Sequence, residues 1–321
     1  MKLPTKFFTA ILVLGALISS CSKKNDGPAG GGYNYGPGNI FIKQGTEGIT
    51  RINMQNGELS GVIPNWIGAG WDISWDGTKG VKQLNPASYD TRYIIFNTGD
   101  GATIKEIFYE PNDNHGGLPY ISPDGTKLAL QPMLDDGLVI LDMNGRVLKN
   151  IAGYGNDHDF KYLDPIAWEP GGTILFKKNG SLYRTNTSFT SASKIKDIPF
   201  SDWQGYACAS PDGKKIALSA GNHIWLMNAD GSDFHQVTES NQSEIKPCFS
   251  PDSKYIAIAA NSRAGVPGSG STAAHLCLVP ADGQVYKVWP GEDNRVIQVQ
   301  VKGEERSDGL GTTIVGDFVW R

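Results

Sequence analysis

One short phrase recurs along the chain and constrains its fold more than any other feature. Ser-Pro-Asp-Gly or a close variant stands between short apolar runs, and the copies are Ser74–Gly77, Ser122–Gly125, Glu169–Gly172, Ser210–Gly213 and Ser250–Ser253. These residue types in this order are typical of a type I turn followed by a bulge in a β-hairpin. Neighbouring copies lie 40 to 48 residues apart. A fixed period of this length indicates a repeat architecture.

A second series of turns repeats out of phase with the first. Asn-Gly and Asp-Gly are the strongest short hairpin signals, because both central residues must accept a positive φ. The second series comprises Asn56-Gly57, Asp100-Gly101, Asn144-Gly145, Thr187-Ser188, Asp230-Gly231 and Asp282-Gly283. Two hairpin turns per repeat define four strands, which is the blade of a β-propeller.

The end of the chain predicts how the ring closes. Trp320 aligns with Trp168 and Phe249, which directly precede turns of the first series. Its segment therefore predicts an innermost strand, whose three partners lie at the start of the repeat region, at 39–43, 48–54 and 58–63. We expect an all-β protein, a six-bladed β-propeller of four-stranded antiparallel blades closed by pairing of the C-terminal strand with the N-terminal blade. Closure of this kind removes exposed sheet edges.

The repeats resemble a known family. The turns, together with Ile224–Ser232 and Gln236–Thr238, look like the WD40-like PD40 repeats of the TolB-type propeller, over about residues 39–321. The resemblance implies the propeller fold. TolB itself carries a separate α/β domain before its propeller and is a soluble periplasmic protein, whereas this chain leaves no room for that domain.

The first 38 residues are expected to lie outside the propeller. Lys2 and Lys6 precede an apolar run of twelve residues, Phe7–Ile18, which is too short to span a bilayer comfortably. The run leads to Leu17–Cys21, which resembles the cleavage box of bacterial lipoproteins and implies a lipid on Cys21. We therefore expect a lipoprotein signal peptide at 1–20, then the lipidated cysteine and a flexible Gly-rich tether at 21–38.

The charge balance of the chain argues against nucleic acid as a partner. Without the two lysines of the signal peptide, 27 basic residues face 33 acidic ones, and no basic stripe is available for nucleic acid. Cys208 and Cys248 hold the same register in successive blades, too far apart for a disulfide. With Cys277 they are expected to stay reduced.

Four common motifs of catalytic and metal sites are absent from the sequence. It contains no Gly-x-Ser-x-Gly elbow, no Walker loop, no His-Glu-x-x-His and no Cys-x-x-Cys. The repeated aspartates Asp124, Asp212 and Asp252 are interpreted as turn residues that bond nearby backbone amides. The sequence therefore names no catalytic residue.

The topology sorts the connections onto two faces. The short repeated turns share one side, the turn face, and the longer loops share the other, the long-loop face, where ligand sites are expected. The candidate ligand-binding residues of the long-loop face are Trp66, Asp113, His115, Asp157, His158, Asp159, Trp203, His223 and His275. Among them His115, His158 and His223 are candidates to hold a divalent cation. Trp71, Trp168, Trp225 and Trp320 are expected in the core between blades.

Three functions remain open at this stage. The pattern favours a non-catalytic binding or scaffold propeller, monomeric in architecture, anchored by Cys21 to the outer membrane of a Gram-negative bacterium, on its periplasmic or surface side, with a protein or glycan partner. One alternative is a metal-assisted lyase of uronate polysaccharides, or another glycan-active enzyme. The other is a TolB-like envelope-assembly partner.

Overall fold

The computed structural model describes a β-propeller. It covers residues 32–44, 48–66, 68, 70–84, 92–109, 117–133, 137–155, 160–161, 164–241, 243–263 and 273–321. These residues form strands and turns and contain no α-helix. Within the same ranges, no helix is long and apolar enough to cross a membrane.

The first three blades follow one another along the chain. Blade 1 contains β1 (Asn39–Gln44), β2 (Gly48–Asn53) and β3 (Leu59–Pro64); blade 2 contains β4 (Trp71–Ile73), β5 (Lys79–Gln83), β6 (Arg92–Asn97) and β7 (Thr103–Phe108); blade 3 contains β8 (Pro119–Ile121), β9 (Lys127–Met133), β10 (Gly137–Asp142) and β11 (Val147–Ile151). Every pairing within these blades is antiparallel.

Blades 4 and 5 repeat the same plan. Blade 4 contains β12 (Ile166–Trp168), β13 (Ile174–Lys178), β14 (Ser181–Thr185) and β15 (Ala192–Asp197); blade 5 contains β16 (Ala207–Ala209), β17 (Lys215–Ala220), β18 (His223–Asn228) and β19 (His235–Gln236). A short strand, β20 (Thr238–Glu239), then leads towards the last blade.

Blade 6 has a divided outer edge. Its inner strands are β21 (Glu244–Phe249), β22 (Tyr255–Arg263) and β23 (Ala273–Pro280). The chain then forms β24 (Tyr286–Lys287), which pairs in parallel with β20 and so joins blades 5 and 6. The outer position beside β23 is filled instead by β25 (Ile297–Gln298) and β26 (Thr313–Val315). All six blades are thus present, and the last differs in how its outer strand is built.

The ring closes as the sequence predicts. The last strand, β27 (Phe318–Trp320), pairs with β1 and takes the innermost position of blade 1. Asn39 and Arg321 extend the pairing through reciprocal backbone hydrogen bonds of 2.5 and 2.9 Å. The predicted six-bladed, four-stranded propeller with C-terminal closure is confirmed.

In the part of the chain that the structure describes, the core consists of six apolar clusters, each between two neighbouring blades. Because side chains alternate along a strand, one strand serves two clusters: Ile40 and Ile42 of β1 pack towards blade 6, whereas Phe41 packs towards blade 2. Trp168 and Trp320 lie in these clusters, as expected. Strands buried on both sides explain the apolar runs between the turns.

The repeated turns use their polar side chains to hold the hairpin. In blade 5 the Ser210 hydroxyl, fully buried, donates to the Asp212 carboxylate at 2.6 Å and accepts from Lys215 N at 2.9 Å. The same pattern recurs at Ser74, Ser122 and Ser250. At Asp124, partial burial raises the pKa, but hydrogen bonds from Ser122 and Thr126 outweigh it and lower the pKa to about 2. The turn aspartates thus have a structural role.

Candidate binding site in the central cavity

The six innermost strands surround a cavity of about 200 Å³ on the axis of the propeller. Its wall includes the residue at one register of every inner strand, two positions before the first residue of the turn or its equivalent. These residues are Asp72, Tyr120, Ala167, Cys208, Cys248 and Val319. Side chains at every second position of a strand point to the same side, and five of the residues two positions earlier also line the cavity, namely Leu118, Pro165, Tyr206, Lys246 and Asp317. The wall is mainly apolar, with a few polar groups.

Asp72 is the buried carboxylate of this cavity. Its residue is 3% exposed, and its Oδ2 accepts a hydrogen bond from Ile121 N at 2.8 Å. The guanidinium of Arg321 lies 3.8 Å from Oδ1. Burial raises the pKa of Asp72 to about 6, against the opposing influence of Arg321 and of the Ile121 amide. A carboxyl group with this pKa in a cavity is a recognised marker of a functional site.

Arg321 lines the turn-face end of the cavity. Its Nε donates to the carbonyl of Ile73 at 3.1 Å, and its guanidinium lies 5.2 Å from the ring centroid of Trp75. Trp75 stands where the other turns carry proline. The aromatic substitution in this one turn therefore gives the arginine a surface to pack on, in the geometry of a cation–π contact.

Two tyrosines contribute hydroxyl groups. Tyr120 OH donates to Gln131 Oε1 at 3.4 Å. Burial raises the pKa of Tyr120, and the carboxylates of Asp317 and Asp72 add to this effect, so its hydroxyl stays protonated. Tyr206 is 45% exposed and stands at the long-loop end. The two hydroxyls offer hydrogen bonds at different depths of the cavity.

Lys246 holds an unusual backbone conformation at the long-loop end. Its φ is 56°, and a bulge in β21 interrupts the pairing with β22 between Ile245 and Cys248. A left-handed conformation costs a non-glycine residue about 1–2 kcal/mol, and the following Pro247 restricts Lys246 further. The ammonium group of Lys246 forms an ion pair with Asp317. Strained residues of this kind cluster at ligand sites.

The three cysteines of the described residues are free thiols, and two of them, Cys208 and Cys248, line the cavity. Cys208, Cys248 and Cys277 form no disulfide. Burial raises the pKa of all three. Since the thiolate is the reactive form, these groups pack as small apolar side chains. The cavity is therefore equipped to bind through apolar contacts, hydroxyl groups and one buried carboxylate.

The structure places two of the predicted binding residues inside the protein. Trp66 is 8% exposed, donates its indole N–H to Gln83 O at 3.2 Å, and lies below the ammonium groups of Lys43 and Lys82. Trp203 is 1% exposed. Neither indole is available to stack on a ligand, which corrects that part of the sequence-based expectation. The loops fold back and bury both rings.

The two predicted histidines within the described ranges have protein partners. His223 Nδ1 lies 2.7 Å from Oε2 of the buried Glu244, and His275 Nδ1 donates to Gly311 O at 3.0 Å. Where the chain is described, no three His, Cys, Asp or Glu residues form a group suited to a metal ion. His223 and His275 thus bridge neighbouring segments of the fold.

Other predicted residues lie outside the described ranges. They are Cys21, Asp113, His115, Asp157, His158 and Asp159. The suggested divalent cation at His115 and His158 stays a prediction, and so does the ligand role of the long-loop face.

A shared position in the repeats predicts the cavity, although the histidines point to the long-loop face instead. Cys208 and Cys248 share a register two residues before the turn serine. The same register in the other repeats identifies Asp72 and Tyr120, because equivalent positions of the inner strands meet on the propeller axis. Arg321 had no such signal, since its contacts depend on ring closure.

Comparison with solved structures identifies the fold. A protein assigned to TolB from Agrobacterium tumefaciens is 18% identical, with a TM-score of 0.53 over 78% of this chain and 87% of that chain. TolB from Acinetobacter baumannii is 17% identical, with a TM-score of 0.55 over 88% of this chain and 66% of that chain. No protein-family model matches the sequence, and no curated protein does. The chain has a TolB-like β-propeller fold.

Proposed function

We propose that this chain is a non-catalytic binding protein of the bacterial cell envelope, whose partner engages the central cavity from the long-loop face. One observation carries the proposal: all six inner strands converge on one cavity that holds a buried carboxylate of raised pKa, Asp72. Concave apolar sites with a few convergent polar groups are the usual form of a binding site.

The size of the cavity limits what enters it. At about 200 Å³ it is smaller than the clefts of roughly 300–1,000 Å³ that enclose drug-sized ligands. The most exposed side chains of its wall, Tyr206 and Asp317, stand at the long-loop end. We infer that a partner inserts a single side chain or a short loop, while its remaining surface rests on this face.

The envelope location is supported by the sequence. Lys2 and Lys6, the apolar run Phe7–Ile18 and the box ending at Cys21 have the order of a lipoprotein signal. A lipid on Cys21 would hold the propeller at a membrane, since two or more acyl chains give stable anchoring. Incorporation of labelled palmitate tests this step directly. The label should enter the membrane fraction with the protein and disappear in Cys21→Ser.

Site-specific cross-linking tests the binding role. A photo-reactive amino acid at Tyr206, in cells, is expected to give a discrete adduct with the partner, and Ala167→Phe, which fills the cavity, should abolish it. Ala102→Phe adds the same side chain at an exposed turn remote from the cavity and should leave the adduct unchanged. Thermal melting of both variants confirms folding. An adduct that survives cavity filling in a folded protein would refute the proposal.

A second function, in envelope assembly, is favoured by the TolB-like fold. It predicts that the purified propeller retains the peptidoglycan-associated lipoprotein in a pull-down and that Ala167→Phe reduces the retention. Absence of binding by the wild-type protein would remove this function and leave the cavity proposal standing.

A further inference from the structure

The chain enters the propeller across the turn face. Residues 32–38 lie over blades 1 and 6. Tyr35 N donates to Met54 O at 2.6 Å, and Met54 N donates to Gly38 O at 3.1 Å. Met54 begins the turn between β2 and β3, which is on this face. On the other side, a Cβ added to Gly38 would stand 3.0 Å from the side chain of Pro251, in the turn of blade 6.

Side chains fix this entry segment in place. Tyr35 is 5% exposed, and its hydroxyl accepts from Gln300 N at 3.0 Å and donates to Gln300 O at 3.1 Å. The indole N–H of Trp320 donates to Pro37 O at 2.8 Å. The segment is therefore bound both to the closing strand and to the long connection that precedes it, and its exit point is defined.

The exit point is open to solvent on the turn face. Gly32 is exposed, and a Cβ added there would meet no atom within 4 Å. Residues 22–31 separate it from Cys21, and ten residues span at most about 36 Å when fully extended. The lipid-bearing cysteine thus lies within this distance of the turn face.

If the long-loop face were turned to the membrane, the ten-residue tether would use most of its extended length. To place the long-loop face against a membrane, the ten residues must cross to the rim of the blade and then run along its height. Six-residue strands are about 20 Å long, and each strand crossed adds about 5 Å. A path of about 25 to 30 Å is longer than the average end-to-end distance of about 17 Å for a flexible ten-residue chain, so this orientation costs conformational entropy.

We propose that the turn face is the membrane-facing side of the propeller and that the long-loop face, with Tyr206 and Asp317 at the cavity mouth, points away from the membrane. This inference rests on the lipid anchor of the proposed function. It specifies the partner further, as a macromolecule in the aqueous space beyond the anchoring leaflet. The turn face offers charged side chains such as Asp212, Lys214 and Lys254, so the tether holds it near the lipid without insertion.

The loop before β16 and the turn after it provide matched probe positions on the two faces. Asp202 precedes β16 on the long-loop face, and Lys214 follows it on the turn face; both are exposed. Asp202→Cys and Lys214→Cys, each made in the full lipidated protein, are labelled with one fluorophore and reconstituted into phosphatidylcholine vesicles that carry a headgroup quencher. The raised pKa values of the native thiols Cys208, Cys248 and Cys277 make them label slowly, and the parent protein measures that background.

Stronger quenching is expected at Lys214→Cys, by at least about twofold, because the two faces are about 20 Å apart along the neighbouring six-residue strand β17. Insertion of about thirty Gly/Ser residues before Gly32 should make the two signals equal, since a longer tether releases the orientation. Equal quenching with the native tether, or stronger quenching at Asp202→Cys, would overturn the orientation.

Vesicle flotation tests the lipid anchor separately from the orientation. Flotation of the vesicles shows whether the wild-type protein is membrane-bound, and Cys21→Ser should remain in solution and show no quenching at either label. A wild-type protein that does not float refutes the lipid anchor itself. A protein that floats but shows equal quenching refutes only the orientation.

Discussion

Replacement of Asp72 by asparagine should stabilise this protein at neutral pH. Asp72 is 3% exposed, and burial raises the pKa of its carboxyl group from 3.8 to about 6. An asparagine side chain at this position would have nearly the same shape, would keep an oxygen to accept from Ile121 N, and would carry no charge. The substitution therefore removes the cost of burying a carboxylate whose nearest cation, Arg321, is 3.8 Å away.

The magnitude follows from the pKa. Each pKa unit corresponds to about 1.4 kcal/mol, so the difference between 3.8 and about 6 amounts to about 3 kcal/mol. Because the pKa is raised in the folded state, the protonated form favours folding. Its contribution is complete below pH 4 and is lost as the pH rises through about 6. Asp72→Asn should therefore exceed the wild-type free energy of unfolding by up to about 3 kcal/mol at pH 8.

Urea unfolding of both proteins between pH 4 and pH 8 measures this difference. The gap should be small at pH 4 and should open between pH 4 and pH 7. Asp124→Asn is the matched control of opposite sign, because hydrogen bonds lower the pKa of Asp124 to about 2 and its charged form favours folding. If Asp72→Asn is less stable than the wild type at pH 8, the ion pair with Arg321 outweighs burial and the reasoning fails.

Three further substitutions test other parts of the fold by urea unfolding at pH 7. Ser210→Ala should lower the free energy of unfolding by about 2 kcal/mol, because the turn loses the hydrogen bond to the Asp212 carboxylate and leaves Lys215 N unpaired. The control Ser201→Ala, at an exposed position, should change it by less than about 0.5 kcal/mol. Tyr35→Phe should lower it by about 1–2 kcal/mol, since both hydrogen bonds to the Gln300 backbone are lost. Lys246→Gly should raise it by about 1 kcal/mol, because glycine accepts a φ of 56° without strain; a decrease would mean that the ion pair of this lysine matters more than the strain.

The architecture was readable from the sequence because its signals are local and repeated. A Ser-Pro-Asp-Gly phrase folds into its turn through contacts within five residues, as Ser122, Asp124 and Lys127 show. Five copies of this phrase and six turns of the second series, in regular alternation, leave little freedom for the topology. The closing strand was predictable too, since Trp320 matches the residues that precede the other turns.

The sequence predicts only part of the candidate site. Register alone places Asp72 and Tyr120 on the axis, but their chemistry depends on residues distant in sequence. The Asp72–Arg321 contact joins the second blade to the closing strand, and the left-handed conformation of Lys246 arises from a bulge that no local motif marks. The burial of Trp203 likewise depends on how a loop folds back. Signals of this kind exist only after the ring has formed.

The free-energy cost of burying the Asp72 carboxylate supports a binding role for the cavity. A buried carboxylate that destabilises the fold at neutral pH is a poor structural element, since an apolar or amide side chain in its place would serve the core better. Proteins commonly give up stability at positions that function requires. A partner that inserts a cationic or hydrogen-bond-donating group would recover this energy on binding. Asp72→Asn should therefore weaken cross-linking through Tyr206 while it raises stability at pH 8. A purely structural carboxylate would give the stability change without the loss of binding.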